Sequence, residues 1–272
     1  MDRIIVNADD LGMTPGTNKA IFEGFDKGAI THTSIMANGD YFAEAMEGMA
    51  DRRGLGLGIH LNLTYGKALI DNSLYCDEKG FFNLGYLALL MRRDEAFLLA
   101  VEREFEAQIQ RVLEEKKEER TLTHLDSHRH IHLIPHLYPV VVKLAKKYQI
   151  GRVRLVNESL IESLLLTKRY NFILNGGIVK YFLLRGFSLW DARHADLYRG
   201  RKFYSILYTG VIGADILQKL KDSPQAYEIM VHPGYSGPDR EVFFYDRAEK
   251  SYRISEDRER ELKTVLLVAK KA

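Results

Sequence analysis

The sequence predicts an α/β fold, one domain over residues 1–272, built on a parallel sheet covered by helices. Short apolar runs alternate with longer amphipathic segments along most of the chain, as strand–helix units do. A length of 272 residues suits a single α/β barrel or a layered fold. No linker, repeat or low-complexity tract divides the chain.

The elements follow in order. Residues 3–10 read as a buried strand, and 14–27 as a helix with Pro15 in its first turn and Gly28 ending it. Residues 30–38, rich in Thr and Ile, read as a second strand, followed by a helix over 41–52. Residues 55–63 read as a third strand, with glycines at 54, 56 and 58 marking tight turning or close backbone approach. A less regular region runs from 64 to about 90. Residues 94–117 form a strong amphipathic helix, with Phe97, Val101, Phe105, Ile109 and Val112 in one stripe. Strands over 121–127 and 152–156 flank a helix over 137–147. The apolar, irregular stretch 158–187 reads as helical, 215–221 as a short helix, 227–231 as a late strand and 256–271 as a closing helix.

Composition narrows the function classes. Hydrophobic residues make up 46% and charged residues 28%, an ordinary globular balance. The formal net charge of +2 argues against a nucleic-acid partner, which needs basic residues gathered on one face. Cys76 is the single cysteine, so no internal disulfide forms, and no histidine near it in sequence activates its thiol. The N-terminus shows no signal-peptide pattern, and no apolar run approaches bilayer-spanning length. The expectation is a cytoplasmic protein with no membrane partner; a homodimer is left open.

In α/β folds chemistry gathers at the carboxyl ends of strands, and the polar residues of interest fall there. Asp9 and Asp10 end the first strand, so one can bind a metal while the other accepts a proton. The competing reading is that Asp10 only caps the following helix. His60 shares a strand face with Asn62, a position that suits a ligand or a satisfied core histidine. The stretch 124–136 holds five of the chain's nine histidines (His124, His128, His130, His132 and His136), interleaved with Asp126, Ser127 and Pro135. Imidazole is a frequent ligand for divalent metals, and a neighbouring carboxylate orients the ring or binds directly. Not all five histidines can be ligands. Arg154, near the end of the fifth predicted strand, pairs with a carboxylate such as Asp9 or binds substrate, unless it is a surface arginine. His232 follows the late strand and precedes a Pro-Gly turn, where it is placed to act as a general acid. Phosphate-loop, dinucleotide, nucleophile-elbow and HExxH motifs are all absent.

These stretches resemble the YdjC-like (ChbG-like) carbohydrate deacetylases, relatives of the NodB-type polysaccharide deacetylases. The resemblance rests on residues 5–12 (IVNADDLG), 58–61 (GIHL) and 123–132 (THLDSHRHIH), with weaker support from 153–155 and 231–233, and it extends to about Tyr235. It implies a distorted, TIM-barrel-like (β/α) barrel and one divalent metal ion, with magnesium or zinc as candidates. Carried over, Asp10, His60 and His128 are the metal ligands, Asp9 the catalytic base, His232 the general acid and Arg154 a partner of the base or of substrate. The implied substrates are N-acetylated sugars, typically short chitin-derived oligosaccharides. His130, His132 and Tyr235 are the expected substrate contacts, with Trp190 and Tyr198 as further candidates for stacking on a sugar ring. The family pattern runs on through a final strand after the last helix, whereas this chain ends at Ala272 after a lysine-ended helix. Two other classes compete: metal-assisted hydrolysis of another bond, such as a phosphoester, and a non-catalytic sugar-binding protein on the same fold.

Overall fold

The computed structural model describes residues 3–117, 119–167, 177–192, 201–204, 206–207 and 212–269. The first apolar run forms β1 (Ile4–Leu11), and helix α1 (Pro15–Asp26) starts at Thr14, whose side chain accepts a hydrogen bond from the Thr17 N–H. Gly28 follows that helix at φ +71°, a conformation glycine adopts without strain. There follow β2 (His32–Ile35), α2 (Phe42–Met49) and β3 (Gly56–Leu61). The less regular stretch contains one short helix, α3 (Tyr86–Met91). The long helix α4 (Glu95–Glu115) buries Phe97, Val101, Phe105, Ile109 and Val112, the stripe expected from its periodicity. Asp94 caps it by accepting the Phe97 N–H.

The second half runs through β4 (Leu122–Ser127), a 3-10 turn over His128–Leu133 and α5 (Tyr138–Lys147). Next come α6 (Leu160–Thr167), α7 (Gly177–Asp191), β5 (Lys202–Tyr204), α8 (Ala214–Asp222) and β6 (Tyr227–Val231). The chain closes with α9 (Ser236–Asp239), α10 (Arg247–Arg253) and α11 (Glu256–Ala269). Among the described residues, no helix is long and apolar enough to cross a membrane. Cys76 is buried, and burial pushes its thiol up, away from the reactive thiolate.

The six strands form one sheet in the order β4-β3-β2-β1-β6-β5, and every pairing is parallel. With helices around it, this sheet makes a barrel-like α/β fold, as the strand–helix alternation predicts. All the carboxyl ends lie on one side. Gly58 on β3 explains one glycine of the 54–58 series, since a Cβ there would lie 2.3 Å from the His124 ring.

One predicted strand is not a strand. Residues 152–156 touch β4 through a single bridge, in which Leu125 N–H donates to the Arg152 carbonyl and Arg154 N–H to the Leu125 carbonyl. Further along, the Asn157 side chain donates to the Arg201 carbonyl and accepts the Phe203 N–H at the edge of β5. This segment thus spans the gap between the two sheet edges with a side-chain amide in place of a ladder. Its alternation comes from Arg152 and Arg154, which turn inward to meet Glu228 of β6. Charge pairing, rather than strand pairing, sets that period.

Candidate active site

The carboxyl ends of β1, β3, β4 and β6 surround a cavity of about 150 Å³. Adjacent side chains on a regular strand point to opposite faces, yet both Asp9 and Asp10 line this cavity. The reason is a register break between Ala8 and Leu11 of β1, with Asp10 at φ +70°. Aspartate tolerates this left-handed conformation better than most residues, and the bulge re-aims its side chain.

Asp10 Oδ1 lies 3.2 Å from His60 Nε2 and 3.1 Å from His128 Nδ1. Two imidazoles therefore converge on one carboxylate oxygen, the arrangement that a cation between them satisfies. One ligand atom from each of Asp10, His60 and His128 lies within 4.8 Å of the others, and all three residues are buried. An Asp-His-His donor set suits zinc and also admits magnesium or its neighbours. The residues present fit a divalent ion.

The surroundings tune this set. Burial opposes charge on Asp10, but the Arg253 guanidinium and hydrogen bonds from His128 and His60 hold its carboxyl well below the usual range. Asp126, directly opposite His60 in the β3–β4 register, lies 2.7 Å from His60 Nδ1 and so orients the ring with Nε2 toward Asp10. Burial pulls His60 down, but the charge of Asp126 and hydrogen bonds to Asp10 and Asp126 push it up to about 10.

Asp9 has a different environment. Arg154 grips both its oxygens, at 2.6 and 2.8 Å, and the Asn7 amide donates to Oδ1 at 2.8 Å. The same guanidinium reaches Asp126 Oδ2 at 2.6 Å and Glu228 Oε1 at 2.7 Å. Asp9, His60 and Asp126 also lie close enough to hold a metal, but the Arg154 cation already stands against both carboxylates. Among the described residues, that leaves one set for a metal.

The other expected site residues divide. His232 lines the cavity, its Nε2 4.0 Å from Asp9 Oδ2, and burial pulls it down to about 4. His130 also lines the cavity; its Nδ1 is buried without a hydrogen-bond partner. Two consecutive left-handed residues, Arg129 at φ 55° and His130 at φ 57°, turn the chain sharply after His128. That turn carries His132 behind the site, where it bonds Ser127 Oγ and the Arg154 carbonyl and is fully buried. His132 is therefore a packing residue rather than a substrate contact. Arg154 is likewise not a substrate contact, because its Nε, Nη1 and Nη2 are all engaged by carboxylates of the chain.

Tyr235 is not brought to the cavity either. Its hydroxyl donates to Glu23 on α1, and its ring lies under Lys19. Trp190 sits half exposed on α7, away from the cavity lining, and Tyr198 lies outside the described residues. Other aromatic rings do approach the site. Tyr65 lies 6.2 Å from the His128 ring, Tyr245 5.5 Å from Tyr65, and the exposed Phe243 5.2 Å from Tyr245.

Four cavity residues have no precedent in the sequence reading. Glu249, Tyr252 and Arg253 come from α10, and Lys180 from α7. The α10 sequence RAEKSYR has the polar look of a solvated helix, so its pattern carries no signal of burial.

The model of the YdjC-like protein family matches residues 3–268. The chain belongs to the YdjC-like family. The proteins it resembles include one of Listeria welshimeri named carbohydrate deacetylase, 37% identical over 150 residues, 55% of this chain and 59% of that one. Another of the same name, from Geobacillus stearothermophilus, is 39% identical over 150 residues, 54% of this chain and 57% of that protein. The matched stretch thus spans about three-fifths of the length of these curated relatives. A solved Enterococcus faecalis structure, titled as a cellobiose-phosphate cleavage protein, superposes with a TM-score of 0.68 at 23% identity. It covers 98% of this chain and 92% of the other, and it supports the YdjC-like fold alone.

Proposed function

We propose that this YdjC-like protein removes acetyl groups from N-acetylated sugars, with N-acetylglucosamine oligosaccharides as the substrate class and a divalent metal at Asp10, His60 and His128. The observation that carries this reading is the pairing of that donor set with a separate carboxylate, Asp9, held beside it by Arg154. The names of its relatives support the choice of an acetamide over a phosphoester. So does the Arg154 cation at the second carboxylate set, which opposes a second metal ion at those carboxylates.

When bound, the metal supplies Lewis-acid chemistry, polarising the acetamide carbonyl and bringing the pKa of a water toward ~7. Asp9, fixed by Arg154 and Asn7, accepts the proton of the attacking water. His232 begins neutral, since burial lowers it to about 4, so it acquires its proton during the reaction. Asp9 Oδ2 lies 4.0 Å from His232 Nε2, so one bridging water carries that proton across. His232 then delivers it to the departing amine. The sugar body lies against Tyr65, Tyr245 and Phe243, whose rings lead from His128 to the surface.

Acetate release from di-N-acetylchitobiose, assayed with and without a chelator, tests this function. Release that stops on chelation and returns with zinc or magnesium supports it. Undiminished release in chelator removes the metal from the mechanism, and no release under any metal removes the deacetylase.

A further inference from the structure

Arg253 lies on α10, outside every motif of the sequence. Its guanidinium is 1% exposed and tied on two sides: Nε donates to Glu249 Oε1 at 2.5 Å and Nη2 to Asp10 Oδ2 at 2.7 Å. The Tyr252 ring lies 5.4 Å from its central carbon. Nη1 is buried and donates to nothing among the described residues, and Arg253 lines the cavity. Arg154, the other buried guanidinium of the site, meets a carboxylate at each of its three nitrogens. The contrast matters because a buried cationic N–H is rarely left without an acceptor. Its acceptor is left to a water or to a ligand in the cavity that Arg253 lines.

Attack of water on an acetamide moves the carbonyl π pair onto oxygen, where negative charge develops. A donor fixed in advance near that oxygen binds the transition state more tightly than the ground state. We propose that Arg253 is a catalytic residue whose Nη1 donates to the acyl oxygen of substrate as that oxygen becomes an oxyanion, while Nη2 holds Asp10. The inference rests on the deacetylase reading. The water oxygen bonds to the acyl carbon, and Asp9 takes its proton. Collapse of the oxyanion breaks the C–N bond, and the amine leaves with the proton delivered by His232. The products are acetate and the amino sugar.

A structural Arg253 would serve only to neutralise Asp10 and Glu249. Arg253→Lys keeps the charge but cannot satisfy Glu249, Asp10 and an acyl oxygen together. If Nη1 contacts the oxyanion, the variant keeps its zinc and its KM for di-N-acetylchitobiose within about threefold, and kcat falls by about 100-fold or more. Added guanidinium should then restore part of the kcat lost by Arg253→Ala. A second readout needs no turnover: the affinity of the zinc-loaded full chain for acetate, measured by calorimetry, should weaken about tenfold in Arg253→Lys, the loss of one charge-assisted hydrogen bond. A kcat within about threefold of native, or a loss of kcat that tracks loss of zinc, overturns the proposal. If the native chain releases no acetate from any sugar, the deacetylase reading falls and the acetate arm still decides: equal affinities in native and variant refute the role of Nη1.

Discussion

Asp9 and Asp10 are neighbours in the chain, yet one sits in a closed ionic frame and the other at an open one. Asp9 is gripped through both oxygens by Arg154, which also spends itself on Asp126 and Glu228. Asp10 offers one oxygen to two imidazoles, while its arginine, Arg253, keeps an N–H in reserve. Identical side chains thus acquire different chemistry from their partners. The closed half suits a base that must stay in place; the open half suits ligation.

The closed half is the easier to break. Arg154→Met leaves Asp9, Asp126 and Glu228 as buried carboxylates without their shared cation, and should lower the unfolding free energy by about 3–5 kcal/mol in a denaturant titration. Native-like stability in that variant would mean that the frame does not hold the fold. Asp126 joins the halves, because it touches both Arg154 and His60. Asp126→Asn should weaken metal affinity by about 10–100-fold, read by competition with a chelating dye. An unchanged affinity would separate the two halves.

Asp191, at the end of α7, gives a third state: a buried carboxylate with neither oxygen hydrogen-bonded among the described residues. Burial pushes it up to about 8 from 3.8. The folded chain therefore keeps a proton that the unfolded chain releases, so this contribution is full below about pH 4 and is lost as pH rises toward 8. The melting midpoint of Asp191→Asn should gain on that of the native protein across this window, whereas a difference independent of pH would show that the carboxyl titrates normally. Smallest is the effect expected at the rim. Phe243→Ala should raise KM for an N-acetylglucosamine oligomer by about 3–10-fold, the loss of roughly 1 kcal/mol of ring contact, and an unchanged KM would place the sugar elsewhere.

Much of this arrangement was legible in the sequence because it depends on strand ends. Asp9, Asp10, His60, His128 and His232 follow or end apolar runs that become β1, β3, β4 and β6. What the sequence hid was direction. The bulge that turns Asp10 into the cavity and the double left-handed turn that carries His132 out of reach are backbone events without a hydropathy signature. Residues 152–156 alternate like a strand because two arginines face Glu228, so periodicity there reported ion pairing. Arg253 and Glu249 stayed invisible for the converse reason: charged residues at i, i+4 spacing on a polar helix read as solvent-facing.

The division of labour between the two aspartates is tested most directly by measuring metal per chain and acetate release side by side in Asp9→Asn and Asp10→Asn. Asp9→Asn should keep one metal and lose about 10²–10⁴-fold in kcat, and Asp10→Asn should lose the metal along with turnover. Loss of the metal from Asp9→Asn to the same degree as from Asp10→Asn would contradict the account.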